Sequence, residues 1–432
     1  MYMCRYLWIL LWVCFSFKIS AQQQVLQLKP EQIEALFLKQ NLELVARQLA
    51  IPMADAVIEQ ARLWNNPSFS LDGVNLWSSA GQREGETIPP LVGNFARNTQ
   101  FSAELSQMIS VSGKRAKLVK MEQISREMAV VQFGLILKGL KTELRKTITG
   151  LVYLQDYQRA LIRQQESLEK LIAASEKLHS RGNLSGNELI RLQSALLEME
   201  NEMKEVRVEL NAARKNLKNL LSIREDLRIE VVPDQEPLPA PGAIDLTAIQ
   251  GKAMEQRADL GLQKLQTEYY RQSLRYEKSL RIPDLNLSVG YDRRGGVWRD
   301  FVGFGIGLDI PVFNRNQGAI KAARLSQQQS ELLVNQQEAV IFNEVAEAYA
   351  NYTDVYALYE RTVRTPVLSK LDEMLDVYTK NLMEKNISMV EYMDFMETYK
   401  NAKQAVLAAK RDVQLGLEEL SYTIGTEIIG KP

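Results

Sequence analysis

The segment DIPVFNRNQGAIKAARL, residues 309–325, joins two sequence patterns of different period. The residues before it, FVGFGIGLDI, alternate large apolar side chains with glycine, which is typical of a β-strand with two different faces. The residues after it are charged and rich in alanine. No proline or glycine follows Gly318 until Pro366, which predicts one very long helix. We therefore expect Pro311 to close a strand, residues 314–317 to form a turn, and Gly318 to open the helix.

The same order of patterns occurs in the first half of the chain. There the alternating run NTQFSAELSQMISV leads to Gly113, which we expect to open another long helix. Both helices reach similar turns, HSRGNLSGNELIRL around Asn183 and LMEKNISMVEYMDF around Asn386. The separation is 70 residues from Gly113 to Asn183 and 68 from Gly318 to Asn386. This agreement predicts an internal duplication, with a first repeat at residues 22–225, an equatorial inter-repeat linker at 226–245 and a second repeat at 246–432.

Each repeat contains two candidate strands with one apolar and one polar face. They lie in LWNNPSFSLDG, NTQFSAELSQMISV, LRIPDLNLSVG and FVGFGIGLDI. In the last of these, Gly303, Gly305 and Gly307 leave one face nearly empty, as a narrow lumen requires. Strands of about ten residues, apolar outside and polar inside, fit an outer-membrane barrel. For any single strand, a small soluble sheet with one buried face is the alternative.

The number of strands and the length of the helices both predict an oligomer. Four strands cannot close a barrel, because even small barrels need about eight. An open sheet edge in lipid would leave backbone groups unpaired, at a cost of several kcal/mol each. The helix expected from Gly113 to Leu178 would be roughly 100 Å long, and its apolar residues recur at three- and four-residue steps. We therefore expect coiled-coil-like packing between helices of several protomers.

The first 21 residues have the pattern of a secretory signal peptide: Arg5, the apolar run YLWILLWVCFSF and small residues ending at Ala21. The apolar run is too short to span a bilayer as a helix. Both cysteines, Cys4 and Cys14, lie within these 21 residues, so the exported chain would contain no disulfide or thiolate site. Lipidation of Cys14 is the competing interpretation, although the preceding residues are bulkier than a lipobox allows.

The composition argues against several functional classes. The chain carries 53 basic and 53 acidic residues, so no net charge favours nucleic acid. Its one histidine, His179, cannot build a multi-histidine metal site or, with no second base, a convincing catalytic triad. Methionines near Asn386 favour gap filling over copper binding. We expect no enzymatic activity, no cofactor and no resident metal.

The segments LWNNPSFSLD, RIPDLNLSVGYD and PVFNRNQGAIKAA resemble the TolC-type outer membrane efflux proteins, and PVFNRNQG resembles their CzcC-like, cation-efflux branch. The resemblance covers nearly the whole exported chain. It implies an α+β membrane protein in which a homotrimer forms a 12-stranded barrel in the outer membrane lipid of a Gram-negative bacterium. A long α-helical barrel would continue into the periplasm. It also implies a passive duct that docks with a periplasmic adaptor and an inner membrane pump of the resistance-nodulation-division (RND) class.

The resemblance also assigns residues near the two helix turns. Glu391 and Asp394 match two acidic side chains that line the closed periplasmic entrance, where their i, i+3 spacing would stack two acidic rings. Ordinary solvent-facing acids are the alternative. Adaptor contacts are expected at the helix tips, at Arg181, Gly182, Asn183, Lys385 and Asn386.

A periplasmic coiled-coil adaptor or structural protein is the main alternative function. It would share the export signal and the long helices. The duplication and the four amphipathic strands favour the channel, because an adaptor usually has one helical hairpin flanked by compact β-domains.

Overall fold

The structure, a computed structural model, describes residues 24–74, 100–182, 184–225, 227–233, 238–293 and 300–428. The expected signal peptide at residues 1–21, the Asn183 tip residue and most of the polar loops between paired strands lie outside these residues. The described chain forms two compact units. The sheet unit comprises residues 45–136 and 252–343, and the hairpin unit comprises the described residues of 1–44, 137–251 and 344–432.

The secondary structure follows the order expected from the repeat. The strands are β1 (Gln24–Leu28), β2 (Ser68–Asp72), β3 (Phe101–Ile109), β4 (Leu227–Val231), β5 (Leu285–Arg293) and β6 (Phe301–Leu308). The helices of the first half are α1 (Pro30–Gln40), α2 (Leu42–Gln48), α3 (Ala50–Arg62), α4 (Lys114–Ser180) and α5 (Gly186–Leu220). Those of the second half are α6 (Leu246–Gln256), α7 (Ala258–Ser279), α8 (Gln317–Arg364), α9 (Pro366–Ser369), α10 (Leu371–Met383) and α11 (Met389–Ile424).

Two very long helices confirm the prediction of one long helix after each pair of strands. Helix α4 has 67 residues and helix α8 has 48. Helix α8 ends at Arg364, two residues before Pro366, because a proline ring cannot continue the hydrogen-bond ladder. The short helix α9 begins at Pro366. Among the described residues, no helix is both long and apolar enough to cross a membrane.

The sheet unit contains a four-stranded antiparallel sheet in the order β2-β3-β5-β6. Its central pair, β3 and β5, joins one strand from each repeat, so the repeats share one sheet. In the register, Leu105 lies opposite Val289, which in turn lies opposite Phe304. The period-two patterns of all four strands are therefore aligned, with apolar side chains on one face and small or polar side chains on the other.

The joint between β6 and α8 differs in detail from the expectation. Gly113 has the left-handed φ of 64° that favours glycine, but Gly318 does not, and it lies inside α8, which begins at Gln317. The left-handed residue of the second joint is Asn316, with φ 55°. Asparagine tolerates this conformation because its side chain can hydrogen-bond locally. Its amide donates to the Glu277 backbone carbonyl at 2.9 Å and to the Glu277 carboxylate at 2.7 Å.

The hairpin unit contains a second, parallel sheet made from the chain's N-terminal segment and the expected linker. Strand β1 pairs with β4, so that Leu26 lies opposite Ile229. The segment between the repeats therefore contains a buried strand. Its partner is about two hundred residues away in sequence, and no local turn motif marks the pair.

Candidate functional site

The sheet has an apolar face that no other described part of the chain covers. Phe304 is 88% exposed and Ile306 is 74% exposed. The apolar face comprises Phe69, Leu71, Ala103, Leu105, Leu285, Leu287, Val289, Tyr291, Val302, Phe304, Ile306 and Leu308. A contiguous exposed surface of this kind marks contact with lipid or with another protein.

The opposite face, here called the pore face, carries mainly small and polar side chains. It comprises Ser68, Ser70, Asp72, Ser102, Glu104, Ser106, Asn286, Ser288, Gly290, Asp292, Gly303, Gly305 and Gly307, together with two apolar residues, Met108 and Phe301. The hydroxyls of Ser68 and Ser106 are hydrogen-bonded at 2.7 Å. A Cβ atom added at Gly305 would lie 2.6 Å from the Ser288 hydroxyl, so a side chain there would displace its cross-strand neighbour. The glycines thus keep the pore face flat.

An ion pair joins the start of α4 to the segment before β5. The Lys114 ammonium lies 2.8 Å from the Asp284 carboxylate, and Lys114 is buried. The same carboxylate accepts a hydrogen bond from the Val111 backbone N–H at 3.0 Å. The Arg115 guanidinium covers the Trp64 ring at 3.9 Å. These contacts fix the direction in which α4 leaves β3.

The two helix turns that the repeat predicted have the same backbone plan. We call residues 181–185 the first tip and residues 384–388 the second tip. Gly182 has φ 74° and Lys385, at the matching position, has φ 61°, so both turns need a left-handed residue there. Arg181 is exposed on the first tip, and the Asn386 amide donates to the Glu384 carboxylate at 3.1 Å on the second.

Each tip ends in a capping box that starts the returning helix. Ser185 accepts from the Glu188 backbone N–H, and Ser388 accepts from that of Glu391. In return, the Glu391 carboxylate accepts from the Ser388 backbone N–H at 2.7 Å and from its hydroxyl at 2.8 Å. The S-x-x-E pattern was visible in the sequence of both repeats and identifies this role.

The two gate candidates therefore have different surroundings. Glu391 is engaged in its cap, and the hydrogen bonds from the Ser388 backbone and hydroxyl lower the pKa of its carboxyl. Asp394 lies three residues further along α11 and is exposed, with no ion pair within the described chain. Both acids lie on the exposed side of the helix, while Tyr392 and Phe395 between and beside them are buried.

Below the second tip, a polar cluster that sequence reasoning missed connects three helices. The Asp372 carboxylate accepts from the Tyr399 hydroxyl at 2.8 Å and from the Lys403 ammonium at 2.9 Å. Arg163 of α4 lies 2.8 Å from the Asp376 carboxylate and 3.7 Å from that of Asp372. Burial raises the pKa of Asp372, but the bonds from Lys403 and Tyr399 outweigh it and lower the pKa overall. Because Arg163 and Asp372 are 209 residues apart, no local motif reveals the cluster.

The methionines near the second tip belong to a hydrophobic cluster. Met389 and Met396 are buried and pack with Tyr392, Phe395 and Tyr399. Met383 is 44% exposed and lies outside this core. Within the described residues, no group of three or more histidine, cysteine, aspartate or glutamate side chains could hold a metal ion.

A second ion-pair network holds both ends of the described chain against α4. The Arg145 guanidinium lies 3.2 Å from Glu34 of α1, 3.5 Å from Glu418 of α11, and 2.5 Å from Glu427. Burial alone would lower the pKa of Arg145, but the surrounding carboxylates, Glu418 first, raise it. Arg145 is therefore charged at every physiological pH.

The chain is similar to known proteins in sequence. Residues 250–426 match the family model described as "Outer membrane efflux protein". The chain is 19% identical over 366 residues to the cobalt-zinc-cadmium resistance protein CzcC of Cupriavidus metallidurans, covering 84% of this chain and 82% of that protein.

Solved structures have the same fold. The Campylobacter jejuni CmeC outer membrane channel aligns with a TM-score of 0.73 at 15% identity, covering 92% of this chain and 85% of that one. CusC aligns with a TM-score of 0.70 at 17% identity and 92% coverage of both chains. VceC of Vibrio cholerae aligns with a TM-score of 0.70 at 14% identity, covering 93% and 97%.

Proposed function

We propose that the chain is an outer membrane efflux protein and forms the passive outer-membrane exit channel of a tripartite efflux system; its similarity to that family model and to CzcC supports this. The observation that carries this proposal is the four-stranded sheet with an exposed apolar face and a flat pore face. Lipid would cover the apolar face, and solutes would pass along the pore face. Its place is the outer membrane, with the helices extending into the periplasm.

A homotrimer would pair the two open edges of the sheet. Within the described chain, β2 and β6 each have one strand neighbour. In lipid, each unpaired backbone group at such an edge costs several kcal/mol. Pairing of β6 in one protomer with β2 in the next would remove both edges. Three protomers would supply twelve strands, enough to enclose a lumen.

The helix tips are the proposed docking region for a periplasmic adaptor, which links the channel to an inner membrane RND-type pump. We assign these contacts to Arg181, Gly182, Asn183, Lys385 and Asn386. The support is the matched geometry of the two tips: three protomers present six similar turns to a partner.

Heavy-metal cations are the proposed cargo, and the second tip supplies the proposed gate. Support comes from the relative that is named for cobalt, zinc and cadmium resistance, and from the exposed acids on α11. In a trimer, Asp394 would form a ring of three carboxylates that attracts cations at a constriction. Glu391 would add a second ring while its carboxylate caps the helix.

Membrane fractionation and conductance measurements test the channel. The expected result is a heat-modifiable trimer in the outer-membrane fraction, and stepwise ion conductance when the purified protein is added to a planar lipid bilayer. A soluble periplasmic monomer without conductance would overturn the proposal and favour the coiled-coil adaptor. For the cargo, deletion of the gene should reduce tolerance of zinc, cobalt or cadmium, and tolerance equal to the parent strain would exclude that cargo.

A further inference from the structure

The hairpin unit contains a cavity of about 760 Å³ that lies outside the pore face and the two tips. It is bounded by α4, α5 and the segment that leads into β4. Six of its lining residues are basic: Arg207, Arg214, Lys215, Lys218, Arg224 and Arg228. Glu225 is the one acidic residue in the described lining. Since the whole chain has equal numbers of acidic and basic residues, this concentration of positive charge is a local feature.

Three of these six cations have no acidic partner in the part of the chain that the structure describes. Lys218 donates to the Glu225 backbone carbonyl, and Arg214 donates to that of Ile229, both at 3.4 Å. Arg228 lies 3.2 Å from the Glu230 carboxylate. Arg207, Lys215 and Arg224 are exposed and form no ion pair with any described residue.

The guanidinium group of Arg228 is incompletely satisfied. The Arg228 Nε atom is buried and has no hydrogen-bond partner among the described residues, because its contact with Glu230 lacks hydrogen-bond geometry. Burial lowers the pKa of Arg214, and the nearby charge of Arg228 lowers it further. Two like charges held together in a partly desolvated site are stabilised by an anion between them.

We propose that this cavity binds an organic anion that carries at least two phosphate or carboxylate groups. Arginine recognises both groups with paired N–H donors, and lysine adds a point charge. The cavity is larger than one inorganic phosphate requires. Its walls also include four apolar side chains, Ile162, Met203, Ile223 and Leu227, which suit the carbon skeleton of such a ligand.

The lining residues belong neither to the pore face nor to the two tips, so we assign the anion as a bound ligand and not as cargo. Bound there, it would hold the C-terminal end of α5 against β4.

Calorimetric titration of the full-length protein in detergent tests the proposal, with pyrophosphate and citrate as probes and glucose as the uncharged control. Both anions should bind at low salt and lose affinity as salt rises, because their contacts are electrostatic. The two probes distinguish a preference for phosphate from one for carboxylate. Absence of binding by both anions would overturn the proposal.

Variants on one face of α5 provide the matched comparison. Lys215→Gln should weaken anion binding by about tenfold, the effect of one lost charge-assisted hydrogen bond, whereas Lys215→Arg should retain it. Lys204→Gln removes an exposed lysine of the same helix outside the cavity and should leave affinity unchanged. Equal losses in Lys204→Gln and Lys215→Gln would refute a defined site. If Lys215→Gln dissociates the trimer in the absence of anion, the cavity is a subunit contact, which also refutes it.

Discussion

Adjacent residues at the centre of β5 offer a direct test of the two faces of the sheet. Val289 lies on the apolar face and Ser288 on the pore face. We predict that Val289→Lys prevents stable assembly in the outer membrane, whereas Ser288→Lys assembles normally. Both variants add the same charge and introduce the same side chain, so they differ in the face of the sheet on which the lysine lies.

The magnitude follows from the length of the strand. Strand β5 has nine residues, and Val289 is the fifth. At ~3.4 Å per residue and ~40° of tilt, such a strand spans about 23 Å, close to the ~25 Å apolar band of an outer-membrane barrel. Val289 therefore lies near the bilayer midplane, where a lysine facing lipid costs about 2–4 kcal/mol. Three copies raise the cost to about 6–12 kcal/mol per trimer.

Ser288→Lys should have a different effect. Its neighbours across the strands are Gly305 and Ser106, so the pore face has space for the longer side chain. Three lysines in the lumen should reduce cation conductance while trimers remain heat-stable.

The assay compares trimer yield in the outer membrane, urea unfolding in lipid vesicles, and single-channel conductance. Val289→Met serves as the control, because it changes side-chain size without adding charge. Equal stability of the Val289→Lys and Ser288→Lys trimers would refute the assignment of lipid and lumen to the two faces.

Four further predictions concern the helix tips and the cluster below them. Asp394→Asn should reduce cation selectivity in planar bilayers without loss of trimer, and unchanged selectivity would remove it from the gate. Ser388→Ala should destabilise the first turn of α11 by about 1 kcal/mol, seen as faster amide hydrogen exchange there and not at the first tip. Gly182→Ala should destabilise the first tip by about 1–2 kcal/mol, because alanine disfavours a positive φ, whereas Lys385→Gly should be close to neutral in thermal unfolding. Asp372→Asn should lower the melting temperature at neutral pH. The pKa of Asp372 is lower in the folded protein than in the unfolded chain. Its carboxylate therefore stabilises the fold above the unfolded pKa, and this stabilisation disappears as the pH falls through the folded pKa. The melting temperatures of variant and parent should then converge in acid, and a constant difference at all pH values would contradict this.

Much of the candidate site could be predicted from the sequence, because the faces of its strands and the length of its helices depend on local periodicity. The alternation at residues 301–308 specified β6 and its two faces, and the absence of helix breakers after Gly318 specified α8. The matched turns around Asn183 and Asn386 revealed the duplication. Helix α8 begins at Gln317, one residue before the expected Gly318, and the left-handed residue of this joint is Asn316.

The sequence by itself determined the types of element, their order and the polarity of their faces, because side-chain spacing along a strand or helix is a property of neighbouring residues. Only the tertiary structure decided which distant groups meet. It paired β1 with β4 and set Arg163 against Asp372 and Asp376. These contacts join parts of the chain that come together only when long helices fold back, so no local pattern encodes them.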